Sequence, residues 1–340
     1  MTRICHLHIG SPKTGSTTIQ DWCSANKAAL RDAGILYPGT FRRHNALLSA
    51  VHDDPSSLRF NRQGQNYDDL NVRGTALRDE FAEAQDTSIR HVIYSNENFL
   101  GKVQRIDLPR LRQLLDAQFD QVKVICYLRD PFKMLVSRAQ EQVKSGVSTY
   151  EQVCARPPVL NIGGIDQFEK VFGRDALVLI NFDDVVSRGA LTASFLDAIE
   201  PGCAPDGLEE VTAKNASVSL EAAMILSGLN VEHSYHRNWS ERFLKNTAVQ
   251  DIGQTKFALP RKSVQKVQDK LMKQYDQLAA LGLNFKVPDW KALPEATPNW
   301  SPKVMQQIAE LLNAMALDIL REEGKSSAYV VRSNKPVERD

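Results

Sequence analysis

The sequence predicts an α/β protein, a three-layer sandwich in which helices cover both faces of a central parallel sheet. Short apolar runs at residues 4–9, 92–95, 122–128 and 176–180 have the composition of strands buried on both faces. Segments with helical spacing of apolar residues lie between these runs. Because parallel strands need long crossover connections, this alternation favours a parallel sheet with helices on both sides.

The first strand leads through a glycine-bounded loop into a helix. Four apolar residues fall on one face of that helix: Ile19, Trp22, Cys23 and Leu30. A short strand at 34–38 ends in proline. Residues 52–74 are polar and predict a long loop that is a lid, a binding segment or disordered. The remaining helices of this half are predicted at 41–51, 77–84, 108–119, 165–172 and 191–199.

The strand at 122–128 is followed by a helix start with recognisable capping chemistry. Asp130 is a good N-cap, and Pro131 suits the first helical position. The second half is predicted to be mostly helical, with amphipathic helices at 220–231, 264–281 and 301–319. We expect an α/β core at 1–212, a C-terminal helical extension at 213–323 and a flexible tail at 324–340.

Charge and cysteine content exclude several classes of function. The 340 residues include 42 Lys and Arg against 41 Asp and Glu, which implies no bulk attraction to nucleic acid or to an anionic membrane. Five cysteines without Cys-x-x-Cys spacing predict reduced thiols and no metal site. The sequence shows no signal peptide and no apolar run of membrane-spanning length, so we expect a cytoplasmic protein without a transmembrane segment.

The loop after the first strand has the composition of an anion cradle. Gly10 and Gly15 let the backbone approach an anion closely, and Lys13 adds a positive charge. The following helix presents its N-terminal N–H groups at the same point. Three hydroxyl residues stand in its first turn: Ser16, Thr17 and Thr18.

The position of the lysine separates this loop from a Walker A loop, in which lysine directly follows the second glycine. Here Ser16 follows Gly15, and Lys13 precedes it. The order resembles the 5′-phosphosulfate loop, P-K-[ST]-G-[ST]-[ST], of sulfotransferases that use 3′-phosphoadenosine 5′-phosphosulfate (PAPS). This resemblance implies a P-loop-like sandwich with PAPS as the donor. It also implies the residues that hold the donor's 5′ end: Lys13, Thr14, Gly15, Ser16, Thr17 and Thr18.

A second motif begins where the strand at 122–128 ends. Arg129 carries a planar fork suited to phosphate, and Ser137 follows eight residues later on the next helix. The spacing resembles the site at which sulfotransferases grip the adenosine 3′-phosphate. Taken alone, Arg129-Asp130-Pro131 is better explained as a helix start, but together with the Lys13 loop it favours the phosphate site.

A hydroxyl acceptor needs a general base, and two residues are candidates. Glu97 lies in Ser95-Asn96-Glu97-Asn98, which resembles the strand-end segment of carbohydrate-type sulfotransferases whose glutamate is the base. His44 is the alternative, because small-molecule sulfotransferases use a histidine. The resemblance, closest to bacterial and carbohydrate-type members, implies transfer of a sulfuryl group to a carbohydrate or small hydroxylated metabolite. Residues 52–74 and 232–261 are the candidate acceptor-binding segments.

Two other functions stay open. A P-loop kinase or NTPase predicts a lysine after Gly15 and a Mg²⁺-binding aspartate, for which Asp183 and Asp184 are the candidates. If the protein instead binds an adenine nucleotide without catalysis, its affinity for the nucleotide should survive the loss of Glu97.

Overall fold

The computed structural model describes residues 2–160, 162–211, 217–232, 248–293 and 295–322. The chain forms two compact units that interleave along the sequence. The first contains Met1–Arg138, Pro158–Ala216 and Lys266–Asp289, and the second contains Ala139–Pro157, Ser217–Gln265 and Trp290–Asp340. The division into two compact units does not test which segments fold on their own. The domain boundaries predicted at residues 212 and 323 therefore stay a prediction.

The first unit is built on a parallel sheet, which confirms the predicted fold class. Its strands are β1 (Ile4–His8), β2 (Ile35–Leu36), β3 (His91–Ser95), β4 (Gln121–Leu128) and β5 (Leu177–Asn181). Their order is β2-β3-β1-β4-β5, and every pairing is parallel. The central strand β1 pairs His8 with Ser95 of β3 and with Ile125 of β4. The loops after β1, β3 and β4 therefore leave the sheet at one edge, where ligands bind in open α/β sheets.

The described helices follow in chain order: α1 (Ser16–Ala25), α2 (Lys27–Asp32), α3 (Asn45–Val51), α4 (Leu70–Glu83), α5 (Asn98–Gly101), α6 (Leu108–Asp116), α7 (Pro131–Lys144), α8 (Tyr150–Ala155), α9 (Gly164–Phe172), α10 (Phe182–Ser187), α11 (Leu191–Ile199), α12 (Leu220–Glu232), α13 (Arg261–Gln265), α14 (Gln268–Ala280) and α15 (Pro302–Glu322). No helix in the described ranges is long and apolar enough to cross a membrane.

Both faces of the sheet are buried in apolar cores, as the uninterrupted apolar runs of the strands predict. On β4, Val124 and Cys126 join one core, whereas Ile125 and Tyr127 join the other. The four apolar residues predicted on the first helix are all buried in the second core, but three lie on α1 and Leu30 lies on α2. All five cysteines lie in the described part of the chain and are free thiols.

Three segments differ from the sequence prediction. The helix predicted at 41–51 begins only at Asn45, because the His44 side chain bonds to other parts of the backbone. Residues 52–74 contain short helical turns at Pro55–Ser57 and Asn61–Gln65 and the start of α4, which Asp69 caps. The helix predicted at 264–281 is divided into α13 and α14.

The second unit is helical. In it, the Ser227 Oγ atom on α12 accepts a hydrogen bond from the backbone N–H of Tyr150 at 2.7 Å. The buried Glu221 carboxylate accepts backbone N–H bonds from Thr255 at 3.2 Å and from Asn299 at 2.6 Å. Half of the predicted acceptor segment 232–261, namely 233–247, lies outside the described residues, as does the predicted tail at 324–340.

Candidate active site

The loop between β1 and α1 has a tightly curled backbone. Gly10, Lys13 and Gly15 have φ angles of +49°, +67° and +73°. Positive φ is uncommon for a residue with a side chain, and such strain concentrates at functional loops. The Thr14 hydroxyl donates to the Ser11 carbonyl at 2.5 Å and closes the curl. The chain therefore maintains an unfavourable conformation at Lys13, the only cation of this loop.

The interior of the loop has no room for a side chain at Gly10. A Cβ atom on Gly10 would come within 2.5 Å of the Ser16 Oγ atom. The hydroxyls of Ser11 and Ser16 are buried, and neither has a hydrogen-bond partner among the described residues. Buried polar atoms are nearly always bonded, so two orphaned hydroxyls in one loop need an explanation. An anion seated in the loop would supply the missing acceptor.

Arg129 follows β4 and contacts the same loop. Its Nη1 atom donates to the Lys13 carbonyl at 3.3 Å, and its guanidinium lies 5.6 Å from the centre of the Phe182 ring. Its Nε atom is buried and has no hydrogen-bond partner in the described part of the chain. Burial lowers the pKa of Arg129, but an arginine keeps its charge in proteins. A buried cation with unused donors thus lies beside the loop.

The two aspartates near Arg129 serve the protein's own structure. The Asp183 carboxylate accepts from the Asp130 backbone N–H at 2.8 Å and from the Lys133 Nζ atom at 3.0 Å, and it lies 3.9 Å from the Arg129 Nε atom. Asp130 accepts from the Lys133 backbone N–H at 2.8 Å, which confirms the predicted cap. The Tyr275 hydroxyl donates to its other oxygen at 3.0 Å. Among the residues with described side chains, no group of three or more acidic, His or Cys residues could hold a metal ion.

The other predicted anion-binding residues lie on the adjoining helices. Thr17 and Thr18 stand half-buried in the first turn of α1. Ser137 lies half-buried on α7, two turns beyond Arg129. The structure therefore brings Lys13 and Arg129 into one site, with Ser137 on the helix that Arg129 precedes.

Glu97 lies next to the loop, directly after β3. A Cβ atom on Gly10 would be 3.4 Å from the Glu97 Cβ atom. The Glu97 side chain is 25% exposed, and its Oε1 atom forms an ion pair with the Arg43 Nη2 atom at 3.0 Å. The carboxylate is thus partly open to solvent at the edge that carries the loop.

The second candidate base, His44, is buried with both ring nitrogens engaged. Its Nδ1 atom accepts from the Ser95 backbone N–H at 2.8 Å, and its Nε2 atom donates to the Pro38 carbonyl at 3.1 Å. Burial lowers the pKa of His44 to about 4. His8 is fully buried, and its Nδ1 atom lies 2.8 Å from the Ser95 Oγ atom. The contacts of His44 with the Ser95 N–H and the Pro38 carbonyl fix its neutral tautomer and hold its ring against the backbone.

Two residues of this region are absent from the sequence prediction. Arg43 contacts Glu97, and its Nε atom donates to the Gln20 Oε1 atom at 3.2 Å. The one signal in the sequence is the polar run Arg42-Arg43-His44-Asn45 shortly after β2. Nothing in that run indicates a partner more than fifty residues away.

No protein-family model matches the sequence, and no curated protein matches it. Among solved structures, the sulfotransferase from Alicyclobacillus acidocaldarius aligns with 15% identity and a TM-score of 0.38, over 71% of this chain and 99% of that chain. The sulfotransferase domain from the curacin biosynthetic pathway aligns with 12% identity and a TM-score of 0.35, over 80% and 98%. The sulfotransferase domain from the Synechococcus PCC 7002 olefin synthase aligns with 12% identity and a TM-score of 0.37, over 84% and 96%.

At these identities and TM-scores the alignments carry no argument about this chain, and they assign no residue and no substrate. All three proteins are described as sulfotransferases, the group whose two anion-binding motifs the sequence resembles.

Proposed function

We propose that the protein is a sulfotransferase that moves a sulfuryl group from PAPS to a hydroxyl acceptor. The observation that carries the proposal is the contact between its two anion-binding elements. The Arg129 Nη1 atom donates to the Lys13 carbonyl, so the curled loop and the buried guanidinium share one site. Orphaned donors on both elements, at Ser11, Ser16 and the Arg129 Nε atom, fit a ligand with two anionic groups.

In this proposal the two elements bind opposite ends of the donor. The loop and the first turn of α1 hold the 5′-phosphosulfate, through Lys13, Thr14, Gly15, Ser16, Thr17 and Thr18. Arg129 and Ser137 hold the 3′-phosphate. PAPS supplies an activated sulfuryl group whose leaving group is 3′,5′-bisphosphoadenosine (PAP). Lys13 stabilises the negative charge that develops on the departing phosphate.

Glu97 is the base in this proposal. Its carboxylate accepts the proton of the acceptor hydroxyl as the acceptor oxygen bonds to sulfur and the bond from sulfur to the phosphate oxygen breaks. Glu97 is favoured over His44 because it is partly exposed beside Gly10, whereas both ring nitrogens of His44 are bound to backbone atoms. The acceptor class, a carbohydrate or small hydroxylated metabolite, and the cytoplasmic location stay predictions from the sequence.

The kinase or NTPase alternative has less support at this site. No lysine follows Gly15, and the Asp183 carboxylate is already bound by the Asp130 N–H and by Lys133. A non-catalytic nucleotide-binding protein would share the anion site but would need no carboxylate beside it. Turnover therefore separates that alternative from the proposal.

The test is release of PAP from PAPS, with a panel of methyl glycosides, primary alcohols and phenols as acceptors. Lys13→Ala should lower turnover by roughly 100-fold or more, the usual cost of losing one group that stabilises transition-state charge. Lys133→Ala is the matched control, because Lys133 is 56% exposed and pairs with Asp183 instead of lining the loop. Full activity in Lys13→Ala would refute the proposed role of the loop.

A further inference from the structure

The segment before α3 lies against the end of β3 and is fixed there by buried bonds. The backbone N–H of His44 donates to the Ser95 carbonyl at 3.3 Å, and the Ser95 N–H donates back to the His44 ring at 2.8 Å. The Asn96 side-chain amide donates to the Asn45 Oδ1 atom at 2.8 Å. All four residues are at most 5% exposed. Residues 43–45 therefore cannot shift relative to 95–97 without breaking buried hydrogen bonds.

This arrangement places Arg43 beside Glu97 and holds its guanidinium from a second side. The Arg43 Nη2 atom lies 3.0 Å from the Glu97 Oε1 atom, and the Nε atom donates to the Gln20 Oε1 atom at 3.2 Å. Gln20 is fully buried, and its amide donates to the Ser95 Oγ atom at 3.1 Å. A buried amide thus fixes the direction of the guanidinium.

The neighbouring Arg42 lacks this support. Its Nη1 atom pairs with the Asp21 Oδ1 atom at 2.6 Å, and its side chain is 46% exposed. Arg42 and Arg43 therefore offer two ion pairs of the same chemistry, one at the surface and one next to the proposed base.

We propose that Arg43 is a positioning residue that orients the Glu97 carboxylate for proton transfer, an inference that rests on the proposed function. Arg43 engages Oε1 and so directs the second oxygen, Oε2, toward the acceptor hydroxyl. A flexible glutamate samples several rotamers in solvent, and fixing one of them removes part of the entropic cost of reaching the reactive geometry. His44 contributes indirectly, because its bonds to Ser95 place Arg43.

A purely stabilising role of the ion pair between Arg43 and Glu97 would affect the melting temperature and not kcat. The Arg43 and Glu97 side chains are 30% and 25% exposed, and ion pairs open to solvent contribute little to stability. Loss of the pair should therefore leave the fold almost unchanged. Its effect should appear in kcat rather than in the melting temperature or in the affinity for the donor.

The experiment compares Arg43→Ala with Arg42→Ala in the full chain. Steady-state release of PAP from PAPS gives kcat and the KM for PAPS, and calorimetry gives PAP affinity. Arg43→Ala should lower kcat by roughly 100-fold, the cost expected for misplacing a catalytic group by about 1 Å. The KM for PAPS and the PAP affinity should change by less than about threefold, because Arg43 contacts the base and not the anion loop. Arg42→Ala should retain at least about half of the wild-type kcat.

Rescue and additivity separate positioning from a general structural effect. Added guanidinium should restore part of the kcat of Arg43→Ala but not of Glu97→Gln, because only the first variant has lost a guanidinium group. The double variant Arg43→Ala with Glu97→Gln should be no slower than Glu97→Gln alone, since Arg43 acts through Glu97.

Four results would overturn the inference. A wild-type kcat in Arg43→Ala would do so while leaving the proposed function intact. A double variant whose loss of kcat equals the product of the two single losses would do the same. Equal losses of PAP affinity and kcat would instead make Arg43 a donor-binding residue. A wild-type protein that binds no PAP would refute the proposed function itself, and the inference with it.

Discussion

Replacement of Arg129 by alanine is the most informative perturbation of the donor site. The guanidinium is buried, its Nε atom has no partner in the described part of the chain, and its closest carboxylate oxygen, on Asp183, is 3.9 Å away. Its donors are therefore available to a ligand. A 3′-phosphate that accepts two of them would form two charge-assisted hydrogen bonds.

The expected magnitude follows from those two bonds. Hydrogen bonds to charged groups contribute roughly 1.5–3 kcal/mol each, so a net loss of about 3–4 kcal/mol is reasonable. PAP binding should then weaken by roughly 100- to 1000-fold. Binding of 5′-AMP, which has no 3′-phosphate, should change by no more than about threefold. Arg129→Lys should recover only part of the loss, because lysine keeps the charge but not the planar fork.

The assay is calorimetric titration of wild type and variants with PAP and with 5′-AMP. Lys133→Ala is again the matched control, since it removes a nearby cation that shares Asp183 with Arg129. Stability should change little in Arg129→Ala, because the Asp130 N–H and Lys133 still bind Asp183. Equal weakening of PAP and 5′-AMP would refute the assignment of Arg129 to the 3′-phosphate.

Three further predictions concern the base and two buried titratable groups. Glu97→Gln should lower turnover about 100-fold or more while PAP affinity stays within about threefold; unchanged turnover would exclude Glu97 as the base. Glu80 is buried with an orphaned Oε2 atom, and burial raises its pKa from 4.5 to about 7. The unfolded chain therefore ionises first, and the free energy of unfolding should fall by roughly 3 kcal/mol between pH 4.5 and 7 from this group. Urea denaturation of Glu80→Gln should show a correspondingly smaller decline, and an identical decline would contradict the argument. Burial lowers the pKa of His44 to about 4. As the pH falls from 6.5 to 4, therefore, only the unfolded state gains a proton at this residue. His44→Gln should remove roughly 3 kcal/mol of that acid-induced loss, and an unaltered acid slope would mean that the native ring takes up the proton.

Local chemistry made the fold and the local structure around Lys13 and Asp130 predictable. The apolar runs predict the strands, because a strand buried on both faces has no polar side to interrupt it. The Asp130 cap and the Lys13 loop are contiguous in sequence, so their residue types indicate their structure directly. The proximity of Lys13 and Arg129 follows from one rule, that parallel strands deliver their carboxyl ends to one edge.

Features that depend on particular side-chain contacts were not predictable from the sequence. Residues 52–74 resemble a loop because they are polar, yet Asn61 donates to the Pro55 carbonyl at 2.8 Å and Arg73 donates to the Tyr67 carbonyl at 2.9 Å. Such side-chain bonds to backbone stabilise short turns without any apolar periodicity. The pairing of Arg43 with Glu97 depends on the packing of two segments that the sequence separates by more than fifty residues.

His44 shows how the same limit affects an assignment of function. As a residue type it was a reasonable base, and the sequence left Glu97 and His44 as alternatives. The decisive information is which atoms surround the ring, and these are the Ser95 N–H and the Pro38 carbonyl. Neither contact has a signature in the sequence.

Nucleotide selectivity tests the central claim most directly. Calorimetric titrations of the wild-type protein with PAP, 5′-AMP, ADP and ATP, each with and without Mg²⁺, compare the two-phosphate site with a conventional nucleotide loop. The account predicts that PAP binds at least about 100-fold more tightly than 5′-AMP and that Mg²⁺ has no effect on this affinity. Preferential, Mg²⁺-dependent binding of ATP would contradict it and would favour a kinase or NTPase.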